Sequence, residues 1–471
     1  MSDQRTVSKK IKTFIIKRSD LENRLDPKFI EPERLDFYKK LKSHGNIVKL
    51  KDIIIEGSYG ILPPGESYNP DNPIKFIRAT ELKEDLSIDF ENVHYVESKY
   101  YTKRAALKKH DILLAVKGAT IAGVKCVAIV KDEIENCIIN GSIFRMQVNE
   151  NVNPYYIAYL LNSDLLKKQM KYNLIANNAV DYLDKKLINN LLIPLPTLKI
   201  QNEIVREFKI AYEKKKEKEN ESEELNIEIN NFLNNSLSIH ITQTKHDLKN
   251  RVFKVDFKQV TGKRFDSYFY LHQSIESKID LGLYETVYFS NLIKRLTNGY
   301  DFRTYDSTGT PYVKVANIKK GEFDFSKIEY VQLNSDEIKK KIQLKKGNLL
   351  ITRKGTFGNS IALKEDLNYI ISSEVFYIEI KQELVDAKYL EIFLNSFIGQ
   401  SQFDRVKIGA IMGSLSQEAI KKLKIPLPSI QKQYEIIRIV ENFNFRIKDL
   451  KREGKEILEA AIIYSEKILF S

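Results

Sequence analysis

The sequence predicts an α+β protein with two strand-rich domains related by internal duplication, separated by two long helices that form an antiparallel coiled coil. Three observations predict it. Residues 193–204 read I-P-L-P-T-L-K-I-Q-N-E-I, and residues 425–436 read I-P-L-P-S-I-Q-K-Q-Y-E-I. Shorter matches precede the two copies in the same order. Each copy then opens a stretch whose apolar residues recur at alternating spacings of four and three, the pattern of a helix with a coiled-coil seam.

The matches run through the whole chain. Arg24-Leu-Asp26-x-x-Phe29 returns as Arg264-Phe-Asp266-x-x-Phe269, and Phe76-Ile-Arg-Ala-Thr-Glu-Leu82 as Tyr312-Val-Lys-Val-Ala-Asn-Ile318. His110-Asp-Ile-Leu-Leu114 with Lys117-Gly118 returns as Gly347-Asn-Leu-Leu-Ile351 with Lys354-Gly355, and Leu161-Asn-Ser163 as Leu394-Asn-Ser396. The offset drifts by a few residues, as small loop insertions leave it. A separation this long means tandem domains, because solenoid repeats run to a few tens of residues. The predicted boundaries are a strand-rich domain at 1–196, a helical region at 197–245, a second strand-rich domain at 246–428 and a closing helical region at 429–471.

In the first half Ile74–Ala79, Asp111–Val116, Lys125–Val130 and Ile138–Val148 are β-branched runs bounded by Gly, Asn or Pro, and read as strands. Tyr312–Ala316, Asn348–Thr352, Ser360–Leu363 and Val375–Ile380 are their counterparts. Pro154–Asn162 reads as a helix with Asn153 as N-cap and Pro154 in the first turn; Ala387–Asn395 matches it. Prolines then precede each long helix, where they do not break it.

In the first long helix the seam runs through Ile204, Phe208, Ala211, Lys215, Lys218, Ser222, Leu225, Ile229, Phe232, Ser236 and Ile239. Its middle, Lys214–Glu224, is nearly all charged, which suits a solvated stretch or a face kept for a partner. In the second the seam runs through Ile436, Val440, Phe443, Ile447, Leu450, Gly454, Ile457, Ala461, Tyr464 and Ile468. Gly454 marks a bend, a close backbone approach or a tolerated flaw. Each helix is about 54 Å long at 1.5 Å per residue. Neither seam is stable in water, so each needs a partner, and the simplest is the other copy, antiparallel because the intervening domain returns the chain.

At 471 residues, with 42% hydrophobic and 30% charged content, the chain has the composition of a soluble globular protein. No apolar run approaches the length of a membrane span, and the apolar stretch at Phe14–Ile16 is too short for a signal-peptide core. Two cysteines, Cys126 and Cys137, write no disulfide framework. A cytoplasmic location is the expectation. The net charge of +13 favours a polyanionic partner, nucleic acid before membrane. A Lys-, Ile- and Asn-rich composition also follows from an AT-rich genome, though that bias alone creates no excess of bases over acids.

Catalytic signatures are missing. Asn153-Pro154-Tyr155-Tyr156 approaches an Asn-Pro-Pro-Tyr loop but lacks the second proline and opens a helix. Glu379-Ile-Lys381 suits the end of a metal-dependent nuclease site, but its counterpart Gln147-Val-Asn149 carries neither charge. The histidines are scattered, and no phosphate loop or Ser–His–Asp set stands out. The expectation is a non-catalytic chain that binds no metal.

The positive signal is in loops. Lys117-Gly-Ala-Thr-Ile-Ala-Gly-Val-Lys125 and Arg353-Lys-Gly-Thr-Phe-Gly-Asn359 each follow a strand. Glycines let a backbone approach phosphate, and Lys117, Thr120, Lys125, Arg353, Lys354, Thr356 and Asn359 are donors for phosphates or base edges. An ordinary hairpin with solvated cations has the same composition; recurrence at matching positions raises the binding reading beside it. A second pair of loops precedes I-P-L-P. Asn177 and Asn178 follow Lys171 in one; Met412 and Ser414 follow Arg405 and Lys407 in the other. These loops diverge inside a shared frame, as two readers of different sequence do and as neutral drift also does. Lys75, Arg78 and Thr80, with Lys314 and Asn317 in the matching stretch, complete the candidate set.

With these features the chain resembles the specificity subunits of type I restriction–modification enzymes over nearly its whole length. The resemblance rests on the duplication, the hydrophobic strand and Lys-Gly loop of Gly347–Gly355, and I-P-L-P leading through Gln201 or Gln433 into a long helix. The family usually writes Pro-Leu-Pro-Pro-Leu-x-Glu-Gln there; this chain has Thr197 and Ser429 for the second proline, Ile200 and Lys432 for the glutamate, and His110 where the family favours Gly. The resemblance implies two target-recognition domains, each reading one half of a bipartite, asymmetric site in double-stranded DNA. It implies helices that set the spacing and bind two modification subunits, which carry S-adenosylmethionine, while motor–nuclease subunits using ATP and Mg join the full complex. This chain would carry no cofactor. The alternatives are a fused methyltransferase–nuclease system of type IIB character, a self-contained nuclease or methyltransferase, and a coiled-coil scaffold that does not read DNA.

Overall fold

The computed structural model describes residues 31–43, 45–118, 121–123, 125–173, 182–241, 256–260, 279–280, 282, 284–334, 337, 342–407 and 413–470. The chain forms two compact units, 1–218 with 452–471, and 219–451.

In the first unit a four-stranded antiparallel sheet places Ile54–Tyr59, Ile143–Val148, Ile112–Ala115 and Val127–Ile129 in that order. A three-stranded sheet places His94–Val96, Ile74–Ile77 and Cys137–Ile139, the last pair parallel. Every residue of Ile112–Ala115, Val127–Ile129 and Cys137–Ile139 is buried, so these strands read as unbroken apolar runs rather than alternating ones. The predicted strand Ile138–Val148 is two strands. Between them Asn140 Oδ1 accepts from Ser142 N at 2.8 Å and Ser142 Oγ at 2.6 Å, closing a turn that carries the chain from one sheet to the other.

The second unit repeats this order. Ile293–Asn298, Val375–Ile380, Leu349–Thr352 and Ser360–Ala362 form its four-stranded sheet. Glu329–Val331, Thr310–Val313 and Ile370–Ile371 form the three-stranded one. The strand expected at Tyr312–Ala316 ends at Val313, because Asn317 Oδ1 accepts from Lys314 N at 2.9 Å and turns the chain.

The predicted helices Pro154–Asn162 and Ala387–Asn395 are present with those bounds. Asn153 Oδ1 caps the first by accepting from Tyr155 N and Tyr156 N, and Asp386 caps the second by accepting from Lys388 N at 2.7 Å. Each is followed by a helix absent from the sequence reading, Asp164–Asn173 or Phe397–Val406.

The copies fill one buried pair of positions differently. In the first unit Arg145 is fully buried, donating to both Asp111 carboxylate oxygens at 3.0 Å and pairing with Glu56. In the second unit Tyr377 and Asn348 stand in the places of Arg145 and Asp111. Asn348 Nδ2 donates to Tyr377 Oη at 3.0 Å, a neutral pair where the other copy holds charges.

The long helices are Leu198–Leu237 and Ile430–Phe470, 40 and 41 residues, about 60 Å each. In each unit a segment of one packs antiparallel on a segment of the other. In the first unit Ile204, Phe208, Ala211 and Ala461 share the core, and Lys218 pairs with Glu453 at 2.9 Å. In the second, Leu233, Leu237, Ile436 and Val440 share the core, and Arg446 pairs with Glu221 at 3.3 Å.

Of the predicted seam, Ile204, Phe208, Ile436, Val440, Ile447 and Leu450 are buried, while Leu225, Ile229, Phe232, Phe443 and Ile457 are half-buried. The buried line passes through Leu233 and Leu237 rather than Phe232 and Ser236, and through Ser465 rather than the exposed Tyr464. Each departure is a step of four where a strict heptad would step three. A straight helix at 3.6 residues per turn drifts this way when it packs on a globular domain as well as on a partner helix. The charged middle is not solvated throughout: Lys215 reaches Glu84 at 3.5 Å, and Lys218 reaches Glu453.

Candidate nucleic-acid interface

The repeated I-P-L-P stretch is locked in the same way twice. Strand Leu192–Pro194 pairs with Ile47–Lys49, and Lys424–Pro426 pairs with Thr286–Tyr288. Tyr156 Oη donates to Pro194 O at 2.6 Å, and Tyr389 Oη to Pro426 O at 2.7 Å. Burial pushes both phenols up, so they stay protonated as donors. Gln169 exchanges two hydrogen bonds with the backbone of Leu192, and Gln402 does the same with Lys424. Buried Gln201 accepts from Asn153 N at 2.9 Å and donates to Pro196 O; buried Gln433 accepts from Asp386 N at 2.8 Å and donates to Pro428 O. The motif glutamine therefore ties the start of each long helix to the start of the preceding capped helix.

This frame holds the predicted loops together. In the first unit Leu183 N donates to Val116 O at 3.0 Å, and Lys117 bridges Tyr182. In the second, Leu415 N donates to Arg353 O at 2.9 Å, and Lys354 bridges Ser414. In both units the basic loop after the central strand is therefore laced to the end of the divergent loop before I-P-L-P. The glycines that follow the lysines, Gly118 and Gly355, both sit at φ +71°, a left-handed turn that glycine adopts without strain.

Lys117, Lys125, Lys171, Lys354 and Thr356 are exposed. Lys354 lies 3.7 Å from Glu374. Lys407 pairs with Asp404 at 3.0 Å and lies over the Phe357 ring, against which Gly413 also packs. Arg405 is half-buried, and burial pulls its guanidinium below the usual range. Thr120, Asn177, Asn178 and Met412 lie outside the described residues.

Two expected donors are committed to the interior. Asn317 is buried and donates to Asp324 O at 3.0 Å; Asn359 is buried and donates to Ile318 O at 3.0 Å. Arg78 forks onto Glu81 through Nε at 3.2 Å and Nη2 at 2.8 Å, and Thr80 donates to the same carboxylate at 2.6 Å. Lys314 pairs with Glu329 and lies 4.7 Å from the Tyr305 ring centroid, while Lys75 lies beside Phe90. These residues hold turns and sheet edges inside their own units. The sequence reading missed Arg104 and Tyr182, which with Leu62 and Lys117 line a cleft of about 530 Å³ in the first unit. The adjacent bases Lys103 and Arg104 were the available signal for it.

Among the described residues no group of three or more His, Cys, Asp or Glu is placed to hold a metal ion, and no helix is long and apolar enough to cross a membrane. Glu379 of the nuclease-like tripeptide pairs with Arg295 at 3.3 Å on the neighbouring strand.

Each of the two units carries the same frame, with a basic loop laced to a divergent one and a connection to the long helices. The chain belongs to the type I restriction modification DNA specificity domain family, whose model matches residues 44–227 and 289–460. The type I restriction enzyme EcoBI specificity subunit of Escherichia coli is 25% identical over 161 residues, 34% of this chain and 34% of that protein. The MjaVIII specificity subunit of Methanocaldococcus jannaschii is 30% identical over 125 residues, 26% of this chain and 29% of that protein. The matched stretch thus spans about a third of these relatives' length. A chain from a type I R-M system solved for its complex assembly and conformational transition is 13% identical with a TM-score of 0.47, covering 90% of this chain and 96% of that one. The crystal structure of a type I S subunit from M. genitalium is 12% identical with a TM-score of 0.40, over the same shares.

Proposed function

We propose that this chain is the DNA-specificity subunit of a type I restriction–modification complex, with each unit reading one half of a bipartite, asymmetric site in double-stranded DNA. The observation that carries this reading is the lacing of a basic, glycine-bearing loop to a divergent loop at matching places in both units. Shared backbone hydrogen bonds position the pair, and the divergent side chains supply different base contacts. In this reading the protein is cytoplasmic and catalyses nothing. The long helices carry two modification subunits, which supply S-adenosylmethionine, and motor–nuclease subunits supply ATP and Mg chemistry. The four sequence regions 1–196, 197–245, 246–428 and 429–471 then act as reader, spacer, reader and spacer.

Binding to randomised duplexes, with the modification subunit present and absent, tests this. The reading expects enrichment of a two-part site, with log affinity falling linearly as log salt rises. Failure to bind any duplex under either condition contradicts it. Methylation or cleavage by the purified chain alone would contradict the non-catalytic assignment.

A further inference from the structure

We infer that Arg353 is a specificity-determining residue that reads a guanine in the half-site of the second unit; the inference rests on the DNA-reading function proposed above. Arg353 stands where the laced loops meet: its carbonyl accepts from Leu415 N. Its side chain is half-buried and held from two sides. Nε donates to Leu415 O at 3.2 Å, Nη1 makes a long contact of 3.5 Å to Ser373 O, and the guanidinium carbon lies 5.8 Å from the Phe376 ring centroid.

Charge sets it apart from its neighbours. Lys354 has Glu374, Lys407 has Asp404, Lys314 has Glu329 and Arg295 has Glu379. Among the described residues Arg353 forms no ion pair, and its guanidinium is held by carbonyl oxygens and a ring. A half-buried cation without an ion-pair partner gains most from an external acceptor.

With Nε committed and Nη1 in long contact with Ser373 O, the remaining N–H donors are the second hydrogen of Nη1 and the two of Nη2. The Nη1–Nη2 edge matches a pair of acceptors, found on guanine O6 and N7 or on two phosphate oxygens. A fixed fork loses little side-chain freedom on binding and accepts only a partner in one place, which suits a base edge better than a mobile backbone phosphate. The first unit carries Val116 at the equivalent position, buried and unable to donate, so the device serves one half-site only.

Arg353→Val tests the inference, because it installs the residue that the same fold carries in the first unit. Arg353→Lys keeps the charge and removes the fork. Binding is measured for the assembled complex on its selected site, with each guanine replaced in turn by 7-deazaguanine, which lacks the N7 acceptor. The expected result is a roughly tenfold to hundredfold loss at one guanine of one half-site for the wild type. Arg353→Val should then become indifferent to that base, Arg353→Lys should keep only part of the preference, and the other half-site should be unchanged. A loss equal at all sequences, with base preference retained, would assign Arg353 to phosphate and overturn the inference. So would a variant that binds like the wild type. If the wild type selects no site, the failure belongs to the DNA-reading function itself.

Discussion

His110 and Gly347 occupy one position in the two copies, and both have a left-handed backbone, at φ 67° and 78°. The sequence showed that His110 departs from the family's glycine; the structure shows what the glycine supplies. His110 is exposed, so its side chain has room. A Cβ on Gly347 would lie 2.5 Å from Gln382 Nε2. Gly347→Ala should therefore cost about 1–2 kcal/mol in urea unfolding, from strain at positive φ with added crowding. The buried pairs make a sharper contrast. Asp111→Ala leaves Arg145 buried without its main partner and should cost about 3–5 kcal/mol. Asn348→Ala breaks a neutral pair and should cost about 1–3 kcal/mol. Equal losses in equilibrium unfolding would mean that Arg145 relaxes toward solvent. Residue type alone could not separate these roles: Asn317 and Asn359 have the composition of DNA contacts, and only the packed second sheet shows their amides spent on Asp324 and Ile318.

The strands were legible because burial on both faces demands continuous, largely apolar runs, as in Ile112–Ala115 and Leu349–Thr352. The division of Ile138–Val148 was not, although its Asn-Gly-Ser turn stands in the sequence, because apolar runs on both sides mimic one long strand. The helices Asp164–Asn173 and Phe397–Val406 were hidden by their polar content; their placement comes from Gln169 and Gln402, whose amides bond the I-P-L-P strands. On the long helices the seven-residue pattern was readable, but its step at Leu233 depends on what the helix packs against. Gly454 reads as the tolerated flaw: a Cβ there would meet Lys215 Cγ at 3.4 Å, an ordinary contact. Gly454→Ala should stabilise the protein by about 0.5–1 kcal/mol and raise its melting temperature. A loss of stability would instead mark the site as a close backbone approach.

The duplication is the property of the whole chain from which the functional reading follows. Each long helix contributes to both units. We propose that their length fixes the interval between the two half-sites, which on one face of DNA repeats every ~34–36 Å. Removing one heptad from both helices, about 10 Å at 1.5 Å per residue, should change the spacer while leaving both half-site words intact. An unchanged spacer would remove the helices from that role. The central claim is that the units are two separate readers. Its most direct test is methylome sequencing of cells that express the chain with a modification subunit, comparing the wild type with a chain whose divergent segment Ile175–Val180 is replaced by one of different sequence. The account predicts a bipartite methylated site in which one half changes and the other half and the spacer persist. A change in both halves together, or in neither, would contradict it.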